Sequence, residues 1–296
     1  MSWEKLERIK VPLLDEILGK SFPVLNEGFV RVIDYMGNDS SVVQGARVSY
    51  GKGTKSVNDD RSLIRYLFRN EHTSPFEFPN IRFHIKLPIF VIRQLIRHRT
   101  ASVNEMSLRY SEASDTFFKV ESNQWRIQNS LNKQGSSEEI LSLIEGELHS
   151  KQQKNLQELV FEDYQERLKH KISREIARVD LPLSLYTEIY WQMDLKNLLH
   201  FLKLRLDDHS QKELRLYAKV IADIVKIWCP FTWESFEDYT LNSVKLNKFE
   251  IEFLSDLFSK QKFENINISN CNLSKREITE FQNKLKKLNI LKNESV

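Results

Sequence analysis

Between positions 97 and 109 the chain carries Arg97, His98, Arg99, Glu105, Ser107 and Arg109. Neighbouring guanidinium groups repel one another, so a cluster of this kind calls for an anion. An arginine fork matches phosphate or carboxylate two N–H bonds at a time. A lone Arg-His-Arg tripeptide would read as a solvated basic turn. The fixed offsets of Glu105, Ser107 and Arg109 make the string far more specific. Its residue pattern fits neither a strand period nor a helix period, so it reads as an irregular loop over 100–109.

The elements that must hold this string follow from the flanking sequence. Ile81, Phe83, Ile85 and Leu87 alternate with Arg82, His84 and Lys86, which predicts a half-exposed strand with His84 on its polar side. Pro88 then opens a helix. Gln94, Arg97 and His98 stand at i, i+3 and i+4 and would share one of its faces. Upstream, Gly28–Tyr35 reads as a strand, Gly37–Ser40 as a turn and Asn58 as the N-cap of a helix that must stop before Pro75. Residues 1–20 read as a short helix interrupted by Pro12. Gly51-Lys52-Gly53 lacks the spacing of a phosphate-binding loop and reads as a surface loop.

Downstream, 121–135 reads as a loop, 136–171 as one or two long solvated helices, and 172–179 as more helix ended by Asp180-Leu181-Pro182. Leu185 to Met193 alternates as a strand. Asp194 is then an N-cap for a helix to about Leu206, which puts Arg205 in its last turn. Asp208–Gln211 resembles a capping box opening the next helix, to about Trp228. Residues 230–240 form a short aromatic segment. Two amphipathic helices, 246–261 and 274–288, follow across an Asn-rich link.

With 296 residues, 41% hydrophobic, 29% charged and a net charge of +3, the chain suits a globular protein and is too balanced to argue for nucleic-acid binding. Cys229 and Cys271 are too few for a disulfide framework and sit in no metal-ligand spacing. With no signal-like or membrane-length apolar run, the expected compartment is the cytoplasm.

Arg-His-Arg, seven residues, then Ser-x-Arg resembles the signature of the flavin-dependent thymidylate synthases. Other segments resemble that family in the same order: Ala46-Arg47-Val48-Ser49, His72-Thr73-Ser74-Pro75-Phe76-Glu77, Leu181-Pro182 through Tyr186-Thr187, and Phe201 through Arg205, His209, Gln211 and Glu213. The resemblance spans about 28–240, with 1–27 as an N-terminal extension and 241–296 as a helical extension of unassigned role.

The resemblance implies an α+β fold, a small mixed sheet flanked by helices. It implies reductive methylation of dUMP to dTMP, with methylene tetrahydrofolate as carbon donor, NADPH as reductant and FAD as cofactor, in a homotetramer. Arg205 would bind uracil and stabilise the charge left as N3 loses its proton. Arg109 and Arg178 would hold the phosphate with Ser107, while Gln94, Arg97 and Glu105 position the nucleotide. Ser74, Arg97, His98, Arg99, Glu105, Asp194, Lys196 and His200 would face the flavin, with no Rossmann glycine fingerprint present. His72 is a candidate for the folate or nicotinamide side, and His209 for the flavin or a cap. Asp194, Lys196 and His200 depart from the family's common residues, as do Phe78 and Ser210 more mildly. No metal site is expected. Two rivals remain: an RNA- or nucleotide-binding module using the arginines on phosphates, and a family-fold flavin protein that has lost methylation.

Overall fold

The computed structural model describes residues 7–48, 57–130, 135–259 and 273–288. The chain divides into two compact units, Met1–Leu241 and Asn242–Val296. The first is an α+β unit built on an antiparallel five-stranded sheet of order β1-β2-β3-β7-β4. Its strands are β1 (Ser21–Val24), β2 (Gly28–Met36), β3 (Asn80–Pro88), β4 (Ser102–Glu105) and β7 (Tyr186–Asp194). A separate hairpin pairs β5 (Arg126–Gln128) with β6 (Ser136–Ile140).

Alternation explains the central pair. Ile81, Phe83, Ile85 and Leu87 of β3 and Ile189, Trp191 and Met193 of β7 are buried, because successive side chains of a strand point to opposite faces. On the other face His84 lies against Glu188, Nε2 to Oε2 2.7 Å. The buried face is covered by α4 (Ile89–Leu95), α7 (Leu195–Arg205) and α8 (Lys212–Trp228). From α8, Leu214, Tyr217, Ala218, Ile221, Val225 and Trp228 enter the core. Each large apolar side chain so buried contributes about 1.5–3 kcal/mol. Tyr217 also donates its hydroxyl to the Lys86 carbonyl at 2.8 Å. This close approach requires Gly28, where an added Cβ would lie 2.0 Å from the Tyr217 hydroxyl.

Further helices frame this core: α1 (Pro12–Asp15), α2 (Asp39–Val48), α3 (Val57–Arg69), α5 (Leu143–Lys169), α6 (Arg174–Ala177) and α9 (Pro230–Phe236). The buried Asp39 carboxylate accepts from the backbone N–H of Phe231 and Thr232 and from the Thr232 hydroxyl, at 2.6–3.0 Å. It thereby satisfies orphan donors at the start of α9. A smaller apolar cluster joins Ala113, Phe117, Tyr164, Ala177 and Leu185. The second unit contains α10 (Lys248–Ser259) and α11 (Lys275–Lys287), the latter opened by the Ser274–Glu277 capping box. No described helix is long and apolar enough to cross a membrane.

Several sequence expectations are corrected. The loop 100–109 contains β4, which pairs with β7 from Ser102↔Gln192 to Glu105↔Ile189. Arg126–Gln128, expected in a loop, and Ser136–Ile140, expected in a helix, pair instead as β5 and β6. Among the described residues of 1–20 the helix is confined to α1, and β1 follows it. The turn at Gly37 runs straight into α2, whose end contains Ala46-Arg47-Val48. Ser49 to Gly53 lie outside the described residues. The 3₁₀ turn Ser74–Glu77 replaces a plain loop. Because α3 begins at Val57, Asn58 lies inside that helix. The start of the last core helix moves from Asp208 to Lys212, since Asp207 closes a local turn by accepting from the His209 N–H at 2.8 Å.

Candidate active site

Pro88 caps α4, and the helix ends at Leu95 with Ile96 as its C-cap. Arg97 and His98 therefore belong to the following turn and do not continue the Gln94 face as a helix. That turn is closed by the His98 N–H donating to the Leu95 carbonyl at 3.0 Å. It separates the three basic residues: Arg97 and Arg99 are exposed, whereas His98 is half-buried. Neither exposed arginine enters an ion pair among the described residues.

His98 turns inward onto α7. Its ring meets Phe201 edge-on at 4.9 Å and lies 6.2 Å from the His200 ring. Its Nε2 accepts from Arg205 Nε at 3.0 Å. Burial, with the Arg205 and His200 charges, pushes the His98 pKa down to about 4. Burial also lowers that of Arg205, which starts so high that the group stays charged. Asp194 places Arg205 by starting α7. Its carboxylate accepts from the Asn197 backbone N–H at 2.8 Å and from the Asn197 amide at 2.6 Å. Arg205 and Gln94 line one open cleft of about 1060 Å³.

The rest of the string is set by β4. Its four residues span roughly 13 Å at 3.3–3.4 Å each, so the strand acts as a ruler between the Arg-His-Arg turn and the Ser-x-Arg turn. Glu105, at its end, accepts from the Thr187 hydroxyl at 2.8 Å. Ser107 Oγ accepts from the Arg109 N–H at 3.3 Å. Arg109 reaches Glu175 of α6 at 3.4 Å, and Arg178, half-buried, caps that same helix. The Ser-x-Arg turn and Arg178 thus meet at α6.

A third group gathers around the start of α7. Lys196 lies 3.6 Å from Glu77 in the turn that begins with the exposed Ser74. His72 packs its ring on Tyr66 at 5.8 Å. Beyond the far end of α7, His209 is tied to Asp207 at 2.9 Å. Of the residues expected at the site, Gln94, Arg205 and His209 line the cleft, while the Arg109–Arg178 and Ser74–Lys196 groups lie outside its lining.

The cleft also has walls that sequence reasoning missed. They come from the β5–β6 hairpin, including Arg126, Gln128 and Ser136, and from Lys212 and Glu213 at the start of α8. Arg126 is pinned to the buried Glu213 at 2.6 Å. The strands are too short for alternation to show them. The hints were His209, Gln211 and Glu213, all within a motif already noted.

Cys229 is fully buried, and burial pushes its thiol well above the usual range. It is no activated nucleophile. The arrangement combines a held arginine in a cleft with exposed arginines on the turns at either end of β4.

A family model, "Thymidylate synthase complementing protein", matches residues 31–231. The flavin-dependent thymidylate synthase of Wolbachia pipientis wMel is 46% identical over 293 residues, covering 96% of this chain and 99% of its own. That of Treponema denticola is 46% identical over 270 residues, covering 91% and 98%. Among solved structures, the UMP/dUMP methylase PolB from Streptomyces cacaoi, bound with 5-Br dUMP, superposes with a TM-score of 0.67. It is 30% identical and covers 74% of this chain and 98% of PolB. The fold is thus the α+β fold that the chain shares with PolB. Within it, this chain belongs to the flavin-dependent thymidylate synthase family.

Proposed function

We propose that this chain makes dTMP from dUMP by reductive methylation. Methylene tetrahydrofolate gives the carbon, NADPH the reducing equivalents, and FAD is the bound cofactor. The observation that carries this reading is Arg205, oriented by its Nε–H bond to His98 at a cleft it shares with Gln94, in a chain of this family. The rival of a plain nucleic-acid module lacks such support, because the aromatic rings beside the site are engaged in packing.

Arginine has five N–H donors and no acceptor. With Nε–H given to His98, the terminal nitrogens of Arg205 remain to hold the uracil edge and stabilise negative charge as N3 loses its proton. Arg109 and Arg178 suit the substrate phosphate. The Ser107 hydroxyl, whose oxygen already accepts from Arg109 N–H, keeps its hydrogen to donate. Gln94 and Glu105 orient the nucleotide by hydrogen bonds, and the Thr187 hydroxyl holds Glu105 in place.

The donor set fits FAD. Arg97 and Arg99 present exposed guanidinium groups suited to a pyrophosphate. Ser74, His98, Glu105, Lys196 and His200 are the further flavin candidates, and Asp194 contributes first as the cap of α7. When bound, FAD supplies the hydride chemistry that no side chain here can. His72 would face folate or nicotinamide. The reading includes a cytoplasmic homotetramer whose neighbouring subunits complete each site. The separation of the Arg109–Arg178 group from the Gln94–Arg205 cleft supports it.

The test is tritium release from dUMP labelled at C5, with NADPH and methylene tetrahydrofolate each present or omitted. Release that rises with the reductant is the expected result. A yellow protein that binds dUMP without release would mean that the fold persists without methylation. A colourless protein without release would sink the reading.

A further inference from the structure

We propose that His98 is the positioning residue for Arg205, a neutral imidazole whose Nε2 takes the Arg205 Nε–H and fixes which edge of the guanidinium faces the cleft. This inference rests on the reading of Arg205 given above, and it separates His98 from the two arginines that flank it.

The chemistry of the contact leaves a single assignment. Arg205 Nε lies 3.0 Å from His98 Nε2, and a guanidinium only donates. Nε2 must therefore carry a lone pair, with the ring proton on Nδ1. The surroundings enforce that state: the ring is half-buried, packed edge-on against Phe201, with the charged Arg205 and the His200 ring nearby. Together they hold the imidazole neutral, with a pKa near 4.

The backbone supplies the second half of the argument. The turn that follows α4 sends Arg97 and Arg99 outward and His98 inward. One tripeptide thus presents two exposed cations and one internal acceptor. Arg205 sits at the last residue of α7, where an unrestrained side chain would sample many rotamers. Committing Nε–H removes that freedom and leaves the two terminal nitrogens available to a ligand in the cleft that Arg205 lines. A misplacement of about 1 Å in such a group costs on the order of a hundredfold in rate. Any ligand held by Arg97 and Arg99 is also mechanically joined, through this turn, to the orientation of Arg205.

The test is a double-mutant cycle read in dUMP affinity by titration calorimetry, using His98→Ala, Arg205→Ala and the pair. Tritium release from C5-labelled dUMP and bound flavin content are measured alongside. His98→Ala should weaken dUMP binding about tenfold in the wild-type background and less than about twofold when Arg205 is already alanine, since residues acting through one another are not additive. His98→Gln, which keeps an acceptor, should recover affinity and release to within about threefold of wild type. His98→Phe, which keeps the ring packing on Phe201 but has no acceptor, should behave like alanine and also covers a failure of His98→Ala to fold. An equal loss from His98→Ala in both backgrounds, or a Phe variant that binds dUMP as wild type does, overturns the proposal. The affinity cycle does not depend on turnover, so a wild-type protein without tritium release would sink the proposed reaction and still decide the role of His98.

Discussion

Arg205 and the pair Arg97 and Arg99 are the same side chain in opposite conditions. Arg205 is half-buried, tied by Nε to a neutral histidine and carried on a helix whose start is fixed by Asp194. Arg97 and Arg99 stand exposed on a turn. Arg109 is intermediate, exposed yet 3.4 Å from Glu175. The difference separates an arginine organised by the chain itself from arginines that await an anion. The first kind can stabilise a charge that appears only during reaction, at no cost in reorganisation. The second kind gives binding energy that salt can screen.

That contrast predicts a graded set of effects. Arg205→Ala should lower turnover by about 10²–10³, the range for losing one preorganised donor to a developing anion, as measured by initial rates at saturating dUMP. A loss below tenfold would erase the distinction between the two kinds of arginine. Arg109→Ala and Arg178→Ala should instead raise KM for dUMP by roughly ten- to a hundredfold, the worth of a charge-assisted hydrogen bond of about 1.5–3 kcal/mol. Their penalty should shrink at high salt, while that of Arg205→Ala should not.

A scaffold control sharpens the comparison. Asp39→Ala strips the acceptor from Phe231 N–H and from Thr232 and should cost about 1–3 kcal/mol of stability in denaturant melts, leaving KM unchanged in the folded fraction. Smaller still is the pH effect of His98. Its folded pKa, near 4, lies below the ordinary value of about 6.5. Between those values the unfolded chain takes up a proton that the folded chain refuses, so stability falls as pH falls from 6.5 toward 4. Melting temperatures across that window should drop less in His98→Gln than in wild type. Smallest is Lys196→Ala, which removes a 3.6 Å surface pair with Glu77 and should change stability by less than about 1 kcal/mol.

What the sequence disclosed follows the range of the interactions involved. The strands β3 and β7 were legible because alternation is local, and Asp194 because a cap acts on residues three positions away. The arginine string was legible as chemistry from its types and offsets. The strand β4 was not, since its pairing with β7 joins residues more than eighty positions apart and its own side chains are all exposed. Asp39 was unreadable as a cap because the helix it serves begins at Pro230, far along the chain. Asp208 misled as a cap because the neighbouring Asp207 folds back on His209 and delays α8 to Lys212. The inward turn of His98, on which the site's geometry depends, exists only once the turn after α4 meets Phe201 and Arg205 of α7.

The most direct test of the whole account is product analysis under anaerobic conditions, with dUMP, methylene tetrahydrofolate labelled in the transferable carbon, and NADPH. The account predicts labelled dTMP from the wild-type protein, and a strongly reduced yield from Arg205→Lys, which keeps the charge but loses the fork and the Nε donor. Equal yields from the two proteins, or no labelled dTMP from a flavin-loaded wild type that binds dUMP, would contradict it.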